Sequence, residues 1–191
     1  SVFVPNNDYL LVPATGPNKV FQLKFDETTG KLESNDPPSA PAPTGEGEAQ
    51  QPRHLVFHPN GKIVYTTLER ELPGVGAWKW DAESGNLTVI QSVVTYPEGF
   101  DGTITTADLH LTPNAKFLYL SNRDITDRKA VVGNSSIVGF KVLESGKLEM
   151  IGHTPCEQVP RSFAVDRAGK YLYVAGPVSY THLRAHETDR H

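Results

Sequence analysis

Short apolar runs, alternating with polar positions and cut by turn residues, recur along the whole chain. Leu55-Val56-Phe57 and Ile63-Val64-Tyr65 flank His58-Pro59-Asn60-Gly61-Lys62, the pattern of two strands joined by a tight turn. The pattern returns in FVPNNDYLLVP from Phe3, FHPNGKIVYTT from Phe57, LTPNAKFLYLS from Leu111 and VDRAGKYLYVA from Val165, a constant spacing of 54 residues. A second echo runs through VFQLKFDETTGKL, VGAWKWDAESGNL and IVGFKVLESGKLE. It predicts a further hairpin in each full unit, its turn closed by Gly30, Gly85 or Gly146. Each unit therefore carries four short strands, A to D. In the second unit they are predicted over 53–58, 62–68, 75–80 and 86–94. No amphipathic helical period of useful length lies between them.

Four antiparallel strands repeated at a fixed period predict an all-β protein, a β-propeller whose blades are the repeating units. A β-sandwich also has many short strands, but not four in-phase repeats. Residues 1–177 hold about three blades and the first half of a fourth, whereas closed propellers have about 4–8 blades. An open arc leaves blade faces and sheet edges without partners. The ring is therefore expected to be completed outside this chain or by further copies, and truncation at both ends is the preferred reading.

The period breaks at residues 178–191. Three histidines there, His182, His186 and His191, invite a metal reading, the first two being spaced as on one helix face. A blander reading is preferred. The eleven residues VSYTHLRAHET, from Val178 to Thr188, resemble the translation of a transposon-type sequencing adapter. The segment is set aside as non-native, and no metal site is expected.

In a four-stranded meander, alternate connections fall on opposite faces. The A–B turns (HPNGK, TPNAK) and C–D turns (AESGN, LESGK) share one face and are short. The D–A and B–C connections share the other and are longer, spanning 35–51, 95–105 and 122–136. Long loops gathered on one face of a rigid scaffold predict a functional face. Arg53 and His54 start strand A of the second unit, Glu69 ends its strand B, and antiparallel pairing brings these two ends together. Arg161 starts strand A of the fourth unit, in register with Arg53. Strand A is innermost, so these cations are expected to crown the central channel and form a focused anion site.

The intervening unit has Ala107 in the arginine register, followed by Asp108, so folding does not demand arginine there. His110 falls on strand A, facing either the channel or the next strand. Asp108, His110 and His54 are the candidate substrate-binding residues, although a histidine beside a strand entrance also serves simply to satisfy backbone groups. His58, at an A–B turn on the other face, reads as structural. The Trp80-Asp81 pair lacks companions in other units, and the period exceeds the usual 40–45 residues of WD repeats, so Trp80 reads as blade packing.

Composition narrows the field. The chain of 191 residues carries 18 basic and 22 acidic side chains, which argues against a nucleic-acid or membrane-surface role resting on bulk charge. One cysteine, Cys156, allows no internal disulfide and fits a reducing, cytoplasmic setting. There is no apolar run of about 18 residues.

At the arginine motifs a family resemblance emerges. QPRHLVFHPNGKIVY, TTADLHLTPNAKFLYLSNR and VPRSFAVDRAGKYLYVAG resemble the seven-bladed propellers of bacterial-type 6-phosphogluconolactonases and fungal carboxymuconate cyclases, from residue 1 to about 177. Seven such units need about 380 residues, so the chain resembles the middle of such a protein. The resemblance implies a site of two arginines, a glutamate and a histidine. Arg53, Glu69 and Arg161 match the first three, and the histidine is expected before Ser1. It implies hydrolysis of 6-phosphogluconolactone to 6-phosphogluconate, in the pentose phosphate pathway, with no cofactor. In that chemistry Glu69 would be general base, and Arg53 or Arg161 would hold an oxyanion, phosphate or carboxylate. The partner expected is a small anionic substrate, a phosphorylated sugar lactone or carboxylic acid. The alternatives are a carboxymuconate-type cycloisomerase and a non-catalytic propeller that binds a ligand or protein.

Overall fold

The computed structural model describes residues 1–44, 49–97, 99–126, 134–176 and 184–187. The first sheet comprises β1 (Val2–Phe3), β2 (Tyr9–Ala14), β3 (Lys19–Asp26) and β4 (Lys31–Pro41). The second comprises β5 (Pro52–Phe57), β6 (Ile63–Leu68), β7 (Gly74–Asp81) and β8 (Asn86–Val94). The third holds β9 (Ile104–Leu111), β10 (Phe117–Asp124), β11 (Ser136–Val142) and β12 (Leu148–Pro155), and the fourth β13 (Ser162–Val165), β14 (Tyr171–Ala175) and β15 (Arg184–Glu187). Within each sheet the strands lie in chain order and pair antiparallel. The predicted strands of the second unit agree with β5 to β8 to within about two residues. Innermost strands meet around the axis, β5 against β9 and β9 against β13. The propeller expected from the 54-residue period is therefore observed.

Alternation with period two explains how the blades stack. Every residue of β6 is buried. Ile63 and Tyr65 join the core shared with Leu118, Leu120 and Phe140 of the third blade, whereas Val64 joins Leu11, Val20 and Trp78 on the side of the first. Both faces of β6 are thus dry, which is why it opens on the unbroken apolar run Ile63-Val64-Tyr65. Trp80 packs as expected, edge-on to Tyr9 at 5.4 Å and to Phe57 at 6.1 Å. His58 closes its turn, with Nδ1 accepting the Asn60 N–H.

The C–D turns are inter-blade contacts as well as reversals. Gly85 adopts φ 71°, and a Cβ there would lie 2.2 Å from the Tyr9 ring of the preceding blade. Gly146 adopts φ 81°, and its Cβ would lie 2.6 Å from Ile63, the residue one period after Tyr9. Glycine satisfies both the left-handed backbone and the close approach. Side-chain amides tie the same region down. Gln22 accepts the Leu87 N–H at 2.7 Å, and Gln91 accepts the Leu148 N–H at 2.7 Å while donating to the Leu148 carbonyl.

Three expectations need correction at their edges. Residues 35–41 belong to β4, not to a loop, because Asn35 to Pro38 bulge out opposite Gln22 and pairing then resumes. An outer strand tolerates Pro37 and Pro38 because no ladder hydrogen bond is required of their nitrogens. Similarly, Asn122, Arg123 and Asp124 finish β10, and Ile104 and Thr105 begin β9. Of the tail set aside above, residues 184–187 pair with β14, and no side chain is described there. His182 and His191 lie outside the described residues.

Asp124 is buried and clasps the B–C loop of the third blade. It accepts the Thr126 N–H at 3.0 Å, the Asn134 N–H at 2.9 Å and the Asn134 amide at 3.2 Å. Burial pushes its carboxyl up, but these hydrogen bonds outweigh that and hold it below its ordinary 3.8. A depressed carboxylate contributes stability that is present above the unfolded value and lost as pH falls through the folded one. Asp124→Asn is expected to cost about 1–3 kcal/mol at pH 7. Urea denaturation should show that gap closing as the pH falls below 3.8.

Candidate active site

Two matching irregularities in the innermost strands aim the side chains. In the second blade the β5–β6 register shifts between Pro52 and Leu55, leaving Arg53 and His54 in a bulge. Thr67 Oγ1 takes the His54 N–H at 3.0 Å. One period later the β9–β10 register shifts between Leu120 and Asn122, leaving Ala107 and Asp108 in the bulge, and Ser121 Oγ takes the Asp108 N–H at 3.0 Å. A bulge bends the strand and redirects its side chains. The hydroxyls at 67 and 121, in register in the sequence, were the signal for this feature, and the strand reading missed it.

Glu69 is pinned by its backbone between two blades. Its N–H donates to the Gln51 carbonyl at 3.0 Å, and its own carbonyl accepts the Thr106 N–H at 3.2 Å. Thr106 Oγ1 donates to the Leu68 carbonyl at 2.8 Å. The carboxylate then meets two guanidiniums. Arg53 Nε lies 3.5 Å from Oε2, and Arg123 Nη2 donates to Oε1 at 2.6 Å and to the Thr106 carbonyl at 2.9 Å. All three side chains are largely buried, at 18%, 13% and 11% exposure for Arg53, Glu69 and Arg123.

Arg123 is the site residue that sequence reasoning missed. It stands one period after Glu69, on the corresponding end of strand B, so the 54-residue register was the available signal. Burial lowers its pKa from the ordinary value, and the charges of Arg53 and Arg161 act in the same direction, while Glu69 opposes them. Arg161 is exposed just before β13, and its charge reaches Arg123. Two arginines thus face one carboxylate, and Arg161 adds its charge at longer range. Arg53 Nη1 and Arg123 Nε are buried and have no hydrogen-bond partner among the described residues.

The other predicted residues form a neighbouring row. His54, Asp108 and Ser162 are one period apart. Asp108 accepts Ser162 Oγ–H at 3.0 Å and the Phe163 N–H at 3.3 Å, joining the third blade to the fourth. It also meets His110 Nε2 at 3.1 Å. Burial pushes the Asp108 carboxyl up, but the bond and charge of His110, with Phe163 and Ser162, bring it below its ordinary range. His110 turns toward the fourth blade, its ring edge-on to Phe163 at 4.8 Å. For His54, the protein around its ring lowers the pKa first and the Arg53 charge adds to this, while Asp108 and Glu69 oppose. The ring is therefore neutral at pH 7.

Comparison with known proteins agrees with this architecture. The family described as Lactonase, 7-bladed beta-propeller matches residues 1–187. A 6-phosphogluconolactonase from Pectobacterium atrosepticum is 36% identical over 141 residues, covering 73% of this chain and 39% of the relative. One from Pectobacterium carotovorum is 37% identical over 140 residues, with the same coverage. The solved periplasmic gluconolactonase PpgL of Pseudomonas aeruginosa is 31% identical, with a TM-score of 0.85, over 98% of this chain and 49% of that one. The chain thus spans well under half the length of these curated relatives. With a match over nearly its whole length, on a scaffold of four-stranded blades, this chain belongs to the lactonase family of seven-bladed β-propellers.

Proposed function

We propose that the full-length protein hydrolyses a sugar lactone, with 6-phosphogluconolactone, opened to 6-phosphogluconate, as the preferred substrate. One observation carries this reading. Glu69 sits between two arginines that each keep a buried N–H without a partner among the described residues, Nη1 of Arg53 and Nε of Arg123. Such donors favour an incoming anion or a developing oxyanion. The names of the relatives, all lactonases, point the same way.

In the proposed reaction Glu69 takes a proton from water, and the resulting hydroxide attacks the lactone carbonyl carbon. The negative charge gathers on the carbonyl oxygen, against the arginine donors. The tetrahedral adduct collapses by breaking the ring C–O bond, and the alkoxide leaves with the proton that Glu69 acquired. Arg161, with Arg53, clamps the phosphate or carboxylate end. His54, neutral at pH 7, and the Asp108–His110 pair line the approach. The proposed setting is the cytoplasm. The proposed native unit covers residues 1–177, with 178–191 a non-native tail.

The test is lactone consumption by the full-length protein, with and without a chelator. Hydrolysis of 6-phosphogluconolactone at the same rate in both is the expected result. Conversion of muconate-type acids without lactone hydrolysis would establish the cycloisomerase instead. Binding without turnover of either would leave a ligand-binding propeller.

A further inference from the structure

A cavity of about 370 Å³ opens on the long-loop face, between the B–C loop of the second blade and the connection into the third. Its lining includes Arg70, Glu71, Tyr96, Phe100, Thr103 and Thr105, but not Glu69, Arg53 or Arg123. It is nonetheless adjacent to them. Arg70 follows Glu69 in the chain, and Thr105 is the direct cross-strand partner of Arg123. One feature points to a ligand. Thr105 is only 3% exposed, and its hydroxyl has no hydrogen-bond partner among the described residues. Gly102 lets the loop pack closely beside the cavity, since a Cβ there would lie 2.5 Å from Thr126 Oγ1 and 2.6 Å from the Phe100 ring.

The chemistry of the lining differs from that of the arginine cluster. One cation and one anion, Arg70 and Glu71, cancel, so the cavity has no formal preference for an anion. Two aromatic rings offer apolar faces, while hydroxyls and a charged pair offer donors and acceptors for vicinal hydroxyl groups. That combination suits an uncharged hexose-sized unit, and the volume lies within the range of small-ligand pockets, about 300–1,000 Å³. We infer that this cavity is a subsite for a sugar unit attached to the reacting lactone. The protein would then accept disaccharide aldonolactones, with the lactone ring at Glu69 and the second sugar against Phe100 and Thr105. The inference rests on the lactone reading for the position of the ring.

The test uses the full-length protein with gluconolactone and maltobionolactone, and titration calorimetry with the corresponding acids, gluconate and maltobionate. The expected KM for the disaccharide lactone is about tenfold below that for gluconolactone, the equivalent of one or two hydrogen bonds. Thr105→Val removes the hydroxyl and keeps a β-branched strand residue, and Phe100→Leu removes the ring. Each is expected to raise the disaccharide KM and weaken maltobionate binding by about three- to tenfold, with kcat and gluconolactone kinetics unchanged. Equal KM values for the two lactones in the unaltered protein, or no effect of either variant, would overturn the subsite while lactone hydrolysis stands. Maltobionate binding that weakens in both variants, with neither lactone hydrolysed, would uphold a sugar site and overturn the proposed reaction.

Discussion

Glu69→Gln is expected to lower turnover of the full-length protein by about 10²–10⁴-fold, the usual contribution of a positioned general base, while substrate binding changes far less. The amide matches the carboxylate in shape but cannot take a proton from water. Binding is spared because the arginines, not the glutamate, would carry the attraction for an anion, and loss of the negative charge leaves them less neutralised. A purely positioning role for Glu69 predicts something else. Arg53 and Arg123 would then lose their anchor, so KM would rise at least as much as kcat falls. Steady-state kinetics therefore separate the two roles. Turnover at the unaltered level would remove Glu69 from the chemistry.

The largest effect on stability is expected at Trp78→Ala, about 3–5 kcal/mol. Trp78 is fully buried in the core between the first two blades, where it touches the cluster of Leu11, Val20 and Val64. Its Nε1–H donates to Thr66 Oγ1 at 2.9 Å, and both groups are dry. Alanine removes the ring and leaves the Thr66 hydroxyl without that donor, so a cavity cost adds to an unsatisfied polar group. The backbone limits relaxation into the space. Gly76 already stands so close that a Cβ there would lie 3.0 Å from both Trp78 Nε1 and Thr66 Oγ1. Trp78→Phe keeps most of the apolar surface and should cost clearly less. Denaturant midpoints with an unchanged m-value would read the difference as stability alone. Equal stability of Trp78→Ala and the unaltered protein would mean that this core does not hold the first two blades together.

The blades were legible because their causes are local. Apolar alternation, turn chemistry at positions such as Gly61 and Gly85, and a repeat of 54 residues all act within a few residues of chain. Antiparallel pairing of β5 with β6 then brings Arg53 near Glu69. Residues 35–41 read as part of a connection, whereas an outer strand with a bulge accommodates the Pro37-Pro38 pair. His110 was ambiguous for a similar reason, since a bulge two residues earlier decides which way the following side chains face.

The sequence by itself determined the all-β class, the blade period and the place of Arg53, His54 and Asp108 on the innermost strands, because each depends on strand periodicity and turn residues. Only the tertiary structure decided that Glu69 is shared by Arg53 and Arg123, that Asp108 bridges two blades, and that a cavity lies beside them. Those relations join residues on different sheets, and they depend on bulges and on the rotation from one blade to the next. Charge meets charge there through packing, which no local pattern of apolar and polar residues encodes.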